Sequence, residues 1–116
     1  MTSLATSPDG IVELDSDRGR LLGFTTDRFD GYLWKKGDYI WVSFIVSKAK
    51  GNFRELVERI CSLGMGVKVP TPLGRMTEIV RKAGYRETFE WVEKIGEAVE
   101  TWVMEASSET GLDTDG

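Results

Sequence analysis

Residues 39–69, YIWVSFIVSKAKGNFRELVERICSLGMGVKV, decide the fold of this chain. The stretch begins with aromatic and β-branched residues that continue to Val46, as is typical of a strand. From Phe53 onward apolar residues recur at helical spacing, until Gly64 ends the helix. Residues 65–69 predict a second strand. A strand–helix–strand unit of this length predicts two parallel strands joined by a right-handed crossover.

The segment before this crossover unit is expected to contribute antiparallel strands. Short apolar runs at 11–14 and 21–26 predict two strands joined by a tight connection. A further strand at 32–34 leads into residues 35–38, whose Lys-Lys-Gly-Asp sequence favours a hairpin turn. The hairpin pairs this strand with the first strand of the crossover unit.

The segment after the crossover unit predicts one helix and one hairpin. Thr71 is expected to cap a helix that has Pro72 at its first position and ends at Gly84. The alternation of residues 85–91 then predicts a strand. Residues 91–103 fit a helix as well as a strand. A glycine at 96 and the content of Thr, Val and Trp favour a hairpin with its turn at 94–97.

Together these elements predict an α+β fold with a mixed, mostly antiparallel sheet and a parallel strand–helix–strand crossover. A single domain is expected over residues 11–105. The polar segment 1–10 and the segment 106–116 are expected to be disordered tails, because the last twelve residues carry four acids and no base.

Composition excludes several classes of chemistry. The chain has no histidine and a single cysteine, Cys61, so it cannot form a histidine-assisted nucleophile, an internal disulfide or a thiolate zinc cluster. The formal net charge is −4 and most of the acidity lies in the C-terminal segment, which argues against a nucleic-acid partner. No apolar run has the length of a membrane span or the pattern of a signal peptide. We therefore expect a cytoplasmic protein with neither nucleic acid nor membrane as a partner.

The order of elements resembles the core of a GNAT-type N-acetyltransferase. The resemblance covers about residues 20–105 and is carried by IVSKAKGNFRELV (45–57), MGVKVPTP (65–72) and RMTEIVRKAGY (75–85). It implies a GNAT-like domain, shortened at its N-terminal end, that uses acetyl-CoA as co-substrate. In that family the loop before the crossover helix holds the pyrophosphate through backbone N–H groups. The implied cofactor-binding residues are Val46, Ser47, Lys48, Ala49, Lys50, Gly51, Asn52 and Phe53.

The physical chemistry of such a loop agrees with this implication. The first N–H groups of a helix have no partner within the helix, and the helix end carries about half a positive charge. A phosphate therefore finds several donors there. The resemblance also implies that the pantetheine arm enters the gap between the two parallel strands, and that an N–H group near Val46 polarises the thioester carbonyl.

The chain departs from the family pattern in three places. Phe53 stands where the family has a second glycine, Val80 where it often has a proton-donating tyrosine, and Leu73 where it has an asparagine. About six residues separate the first two predicted strands, where the family has two helices that shape the acceptor site.

A capped helix is the alternative interpretation of the same loop. Asn52 is a good N-cap, and Glu55 three residues later completes a capping box that would compete with a phosphate. In that case Lys48 and Lys50 are ordinary solvated residues.

No catalytic residue is singled out by spacing. Five carboxylates are candidates for acid–base work, and two tyrosines are candidates for proton donation. These residues are Glu13, Asp38, Glu78, Glu87, Glu90, Tyr39 and Tyr85. Cys61 lies on the apolar face of the first predicted helix and is expected to be a buried hydrophobe.

Two functional hypotheses follow. The first is an acetyl-CoA-dependent N-acetyltransferase that acts on a small-molecule amine or a peptide amine. The second is a non-catalytic module on the same scaffold, which binds a protein partner or assembles with itself as a homodimer.

Overall fold

The computed structural model describes residues 7–72 and 74–106 of the chain. Six strands and three helices follow one another in these ranges. In chain order they are β1 (Gly10–Val12), α1 (Asp17–Leu22), β2 (Phe29–Lys36), β3 (Tyr39–Ser47), α2 (Asn52–Ser62), β4 (Gly66–Pro70), α3 (Arg75–Lys82), β5 (Arg86–Val92) and β6 (Glu97–Met104).

The strands form one mixed sheet with the order β1-β2-β3-β4-β6-β5. β3 and β4 are parallel and are joined through α2, and every other neighbouring pair is antiparallel. The prediction of an α+β fold with a mixed sheet and one parallel crossover is therefore confirmed. The hairpin at the end of the chain is also confirmed, since β5 and β6 pair along their whole length.

One face of the sheet carries the helices and the core. Residues that are paired side by side share a face of the sheet, and the pairs Val12–Leu33 and Ile40–Val67 are all buried. They belong to a single apolar cluster that also contains residues of all three helices. From α1 to α3 these are Leu22, Phe53, Leu56, Val57, Ile60, Cys61 and Val80.

The opposite face of the sheet, called the open face, is exposed over β2 and β3. Tyr32, Trp34 and Phe44 point to this face from β2 and β3 and are 41–53% exposed.

The strand that was predicted at residues 21–26 does not form. Gly23, with φ 76°, is instead the C-cap of α1, whose N-cap Ser16 accepts a hydrogen bond from the N–H of Gly19. The two capping residues therefore favour a helix here, although the apolar run favours a strand. Phe24 follows the helix in a loop, and its side chain is buried in the core.

The helix predicted from Pro72 begins later. α3 starts at Arg75 after Gly74, and Thr71 has a φ of 41°, so Thr71 is not the N-cap. The predicted tails lie mostly outside the described residues. Within the described part of the N-terminal segment, Asp9 contacts the end of β2 and the turn that follows it. Its carboxylate accepts hydrogen bonds from Lys35 Nζ (3.1 Å) and from the N–H of Gly37 (3.0 Å).

The longest of these helices, α2, has 11 residues. Within residues 7–72 and 74–106 no helix combines the length and the apolar content that a membrane crossing needs.

Candidate functional site

The N-terminal end of α2 has no side-chain cap. Its N-cap residue is Gly51, with φ 93° and ψ −17°, and no side chain accepts a hydrogen bond from the first turn. The positive φ turns the chain sharply from the loop into the helix, and glycine adopts such torsions without strain. This end of the helix is therefore open to an external acceptor.

We define the α2 mouth as five backbone N–H groups that find no acceptor in the described part of the chain. They belong to Ala49, Lys50, Gly51, Phe53 and Arg54. A cluster of N–H groups at the positive end of a helix is an arrangement that binds anions, phosphates above all. Two neighbouring amides already have an acceptor. The N–H of residue 52 donates a hydrogen bond to the carbonyl of Ala49 (3.3 Å), and the N–H of residue 55 donates one to the carbonyl of Gly51 (3.1 Å).

The alternative of a capping box is wrong. Asn52 is the first helical residue, and its side-chain amide donates to the carbonyl of Arg28 (3.0 Å). Glu55 pairs with the guanidinium of Arg28 and does not turn back to the helix end. The two residues expected to close the mouth therefore both contact the loop before β2.

Phe53 also leaves the mouth open. Its side chain is buried in the core with an exposed fraction of 7%. The ring therefore points away from its own N–H group, and the substitution of a bulky residue for a glycine does not cover the amides.

The other predicted loop residues have different roles. Ser47 donates its hydroxyl to the carbonyl of Ala49 (2.7 Å). Lys48 is anchored, since Nζ donates to the carbonyl of Thr26 (2.6 Å) and the N–H donates to that of Arg28 (2.8 Å). Lys50 is exposed, and its ammonium has no partner among the described residues. Lys50 is therefore the lysine that is free to add positive charge at the mouth.

Next to the mouth the two parallel strands separate. β3 pairs with β4 only over Tyr39–Trp41, opposite Gly66–Lys68. From residue 42 to Ser47, at the end of β3, the side facing β4 has no strand partner. β3 also contains one extra residue relative to β2. Between the pairs Trp34–Trp41 and Tyr32–Phe44, one residue of β2 (33) faces two residues of β3 (42 and 43). Such a bulge leaves a residue unpaired and bends the strand away from its neighbour.

The separation creates a cleft, the β3–β4 cleft, with a cavity volume of about 190 Å³. Its lining comes from the end of β3, the end of β4 and the start of α3. The lining residues are Ser43, Phe44, Ile45, Val69, Pro70, Thr71, Pro72 and Met76. The cleft is thus mostly apolar: among the described residues that line it, the only polar side chains carry hydroxyls and none is ionisable.

The predicted acid–base candidates lie elsewhere. Tyr39 donates to Glu105 Oε1 (2.7 Å), and this hydrogen bond raises the pKa of the phenol. Burial raises the pKa of Tyr85 well above its usual value. Glu90 pairs with Lys68 Nζ (2.8 Å), on the open face of the sheet.

The positions where the chain departs from the family pattern are only partly described. Val80 is fully buried in the core, as expected for an apolar residue. Residue 73 lies outside the described ranges. Sequence reasoning did not identify Ser43, Thr71 and Met76 as cleft residues. The two prolines at 70 and 72 were the available signal, since β4 ends at Pro70 and has five residues where β3 has nine.

A cluster around Lys68 was also not anticipated. Its ammonium lies 4.2 Å from the ring centre of Tyr39 and 5.2 Å from that of Trp41. These contacts and the pairing with Glu90 fix Lys68 at the closed end of the parallel pair. In the part of the chain that is described, no group of three metal-ligating side chains comes together.

Comparison of the chain with protein-family models, with curated proteins and with solved structures finds no match.

Proposed function

We propose that the chain is an acetyl-CoA-dependent N-acetyltransferase with a GNAT-like fold. Its acceptor is a small-molecule amine or a peptide amine, and its place of action is the cytoplasm. The observation that carries the proposal is the α2 mouth, whose five free N–H groups follow in the chain directly after β3, the strand that lines the cleft between two separating parallel strands.

The order of elements supports this proposal. The crossover β3–α2–β4 is followed by α3 and by a hairpin whose second strand, β6, lies beside β4. The sequence resemblance implies this arrangement for the GNAT core. The short α1 stands where that family has two helices, so the acceptor side of the site is more open than the family pattern implies.

Three parts of acetyl-CoA, the diphosphate, the pantetheine arm and the thioester, match features of the site. The diphosphate suits the α2 mouth, where the helix dipole and Lys50 favour negative charge. The thin pantetheine arm suits the β3–β4 cleft, which is smaller than the roughly 300 Å³ of a typical drug-like pocket. Backbone groups of β3 beside the bulge are available to form hydrogen bonds with the amides of the pantetheine arm and with the thioester carbonyl.

The chain's own contribution to the reaction is position rather than acid–base chemistry. Acetyl-CoA supplies an activated acetyl group. In the reaction the C–S bond of the thioester breaks, and a C–N bond forms to the unprotonated amine. The amine releases a proton to solvent, and the thiolate takes one from solvent. Because the cleft lining has no ionisable side chain, the rate gain comes from holding the thioester beside the amine.

Thermal unfolding with added ligand tests the proposal. Acetyl-CoA and coenzyme A should both raise the melting temperature, and adenosine alone should raise it less because it lacks the diphosphate. Lys50→Glu should weaken the shift by placing a negative charge at the mouth. Lys82→Glu is the matched control, since Lys82 is an exposed lysine at the far end of α3. Absence of any shift at ligand concentrations far above micromolar would refute the proposal.

A non-catalytic module is the second candidate, and the apolar lining of the cleft together with Val80 favours it. Such a protein would bind a protein partner or assemble with itself, and it would not transfer an acetyl group. Mass spectrometry of a panel of amines and peptides, incubated with acetyl-CoA and the protein, separates the two. Acetylated product above the protein-free rate supports the enzyme, and its absence supports the module.

A further inference from the structure

The two edges of the sheet differ in length. β1, at one edge, has three residues, whereas β5, at the other edge, has seven in unbroken antiparallel register with β6. No described strand lies on the outer side of β5. A long and regular edge presents free N–H and C=O groups that can pair with another strand. The β5 edge is therefore where the sheet can be extended.

β5 also carries exposed aromatic side chains. Phe89 and Trp91 are 66% and 63% exposed, more than any other large apolar residue in the described ranges. Their partners on β6 are Glu100 and Ala98, so both rings lie on the same face of the sheet. Soluble monomers usually protect a sheet edge with short strands, bulges, prolines or charged side chains, above all lysines. β5 is neither short nor bulged and has no proline and no lysine; its charged residues are Arg86, Glu87 and Glu90.

We propose that β5 pairs in antiparallel fashion with β5 of a second copy of this chain, about a two-fold axis at Phe89. A strand that pairs with its own copy forms a closed, self-complementary contact, as cyclic dimers require. The two sheets then continue into one. The proposal does not depend on whether the cleft binds acetyl-CoA.

This register places no two like charges directly opposite each other along β5. Glu87 lies opposite Trp91 of the second copy, and Thr88 lies opposite Glu90 of the second copy. Glu90 lies diagonal both to Arg86 and to Glu90 of the second copy, and its pairing with Lys68 in its own chain offsets the second of these contacts. The two Phe89 rings face each other at the axis.

The area available also suits a dimer. A Phe or Trp side chain has about 150–250 Å² of surface, so at these exposures each ring offers about 100–160 Å². Four such rings supply about half of the roughly 1,000 Å² that a specific interface needs. The paired edges of two seven-residue strands and their remaining side chains supply the rest.

Sedimentation and light scattering test the dimer. The wild-type chain should have twice the 13.0 kDa mass of one chain at high micromolar concentration. Phe89→Lys should reduce it to a monomer with unchanged circular dichroism. Phe44→Lys is the matched control, because Phe44 is another phenylalanine that is more than half exposed, and it lies on the central strand β3. A wild-type monomer, or a dimer that Phe44→Lys disrupts and Phe89→Lys does not, would overturn the proposal.

A second variant locates the axis. In Phe89→Cys the two introduced thiols face each other across the strands, at a separation that mild oxidation can bridge. A covalent dimer should form, whereas Phe44→Cys should remain monomeric on a denaturing gel. The native Cys61 does not interfere, since it is buried. Failure of Phe89→Cys to cross-link in a wild-type-like dimer would refute the Phe89-centred register.

Discussion

Replacing Gly51 by alanine separates the stability of the loop from its binding of an anion. Gly51 has a φ of 93°, and a Cβ added there would meet no atom within 4 Å. The cost of the substitution is therefore backbone strain alone, about 1–2 kcal/mol for an L-residue with positive φ. For a domain of this size, each kcal/mol lowers the melting temperature by about 4–8 °C.

Gly64, at the other end of α2, provides the control. Its φ is 87°, and an added Cβ would likewise meet nothing within 4 Å. Gly64→Ala should therefore lose a similar amount of stability, but it leaves the α2 mouth unchanged. In Gly51→Ala, relaxation of the positive φ reorients the N–H group of residue 51 relative to those of Phe53 and Arg54. Losing one hydrogen bond to a charged group costs about 1.5 kcal/mol, which is roughly a tenfold weaker Kd for acetyl-CoA.

The assay is thermal unfolding of the three proteins, with and without acetyl-CoA, over a range of ligand concentrations. A ligand at about 100 times its Kd stabilises the fold by about 2.7 kcal/mol, so a tenfold change in Kd is measurable. Equal ligand affinity in both variants would refute the assignment of the mouth as the anion site. A Gly51→Ala variant as stable as the wild type would refute the strained torsion itself.

Three further predictions concern the scaffold. Burial raises the pKa of the Cys61 thiol, so an aromatic disulfide reagent should label Cys61 only when the protein unfolds. The hydrogen bond from Tyr39 and the pairing with Arg86 lower the pKa of Glu105. Glu105→Gln should therefore cost a few tenths to about 1 kcal/mol in denaturant unfolding at neutral pH, and this difference should vanish as the pH falls through the lowered pKa. At Gly31 the φ is 112°, and an added Cβ would clash with the backbone of β3. Gly31→Ala should therefore lower the free energy of unfolding by about 3 kcal/mol or more, by the same measurement. A loss of stability no larger than that of Gly51→Ala would contradict the close contact.

Strong local patterns made the central architecture predictable. The crossover from β3 to β4 follows from a continuous apolar strand, a helical repeat from Phe53 and a glycine at the helix end. The closing hairpin was an ambiguous segment in sequence, and Gly96 decided it correctly, with a φ of 63° in the turn. Local signals were misjudged where capping competed with apolar content, as in α1, whose Ser16 cap and Gly23 terminus outweigh the apolar run.

The site was only partly predictable, for a different reason. The loop around Gly51 is continuous in sequence and was identified. The hydrogen bonds of the Asn52 and Glu55 side chains could not be predicted, because both are made with Arg28, which lies 24 residues or more away along the chain. The cleft depends on where β3 and β4 stop pairing, and that is a property of the sheet register rather than of any one residue.

Backbone amide resonances of the isotope-labelled protein, followed during titration with coenzyme A, test the central claim most directly. The account predicts saturable shifts that are largest at Lys50, Gly51, Phe53 and Arg54, with smaller shifts along the edge of β3 from residue 42 to Ser47. Amides at the far end of α2, near Gly64, should not move. Unchanged resonances at the α2 mouth in excess ligand, or shifts confined to another surface, would contradict the claim that these free N–H groups bind the diphosphate.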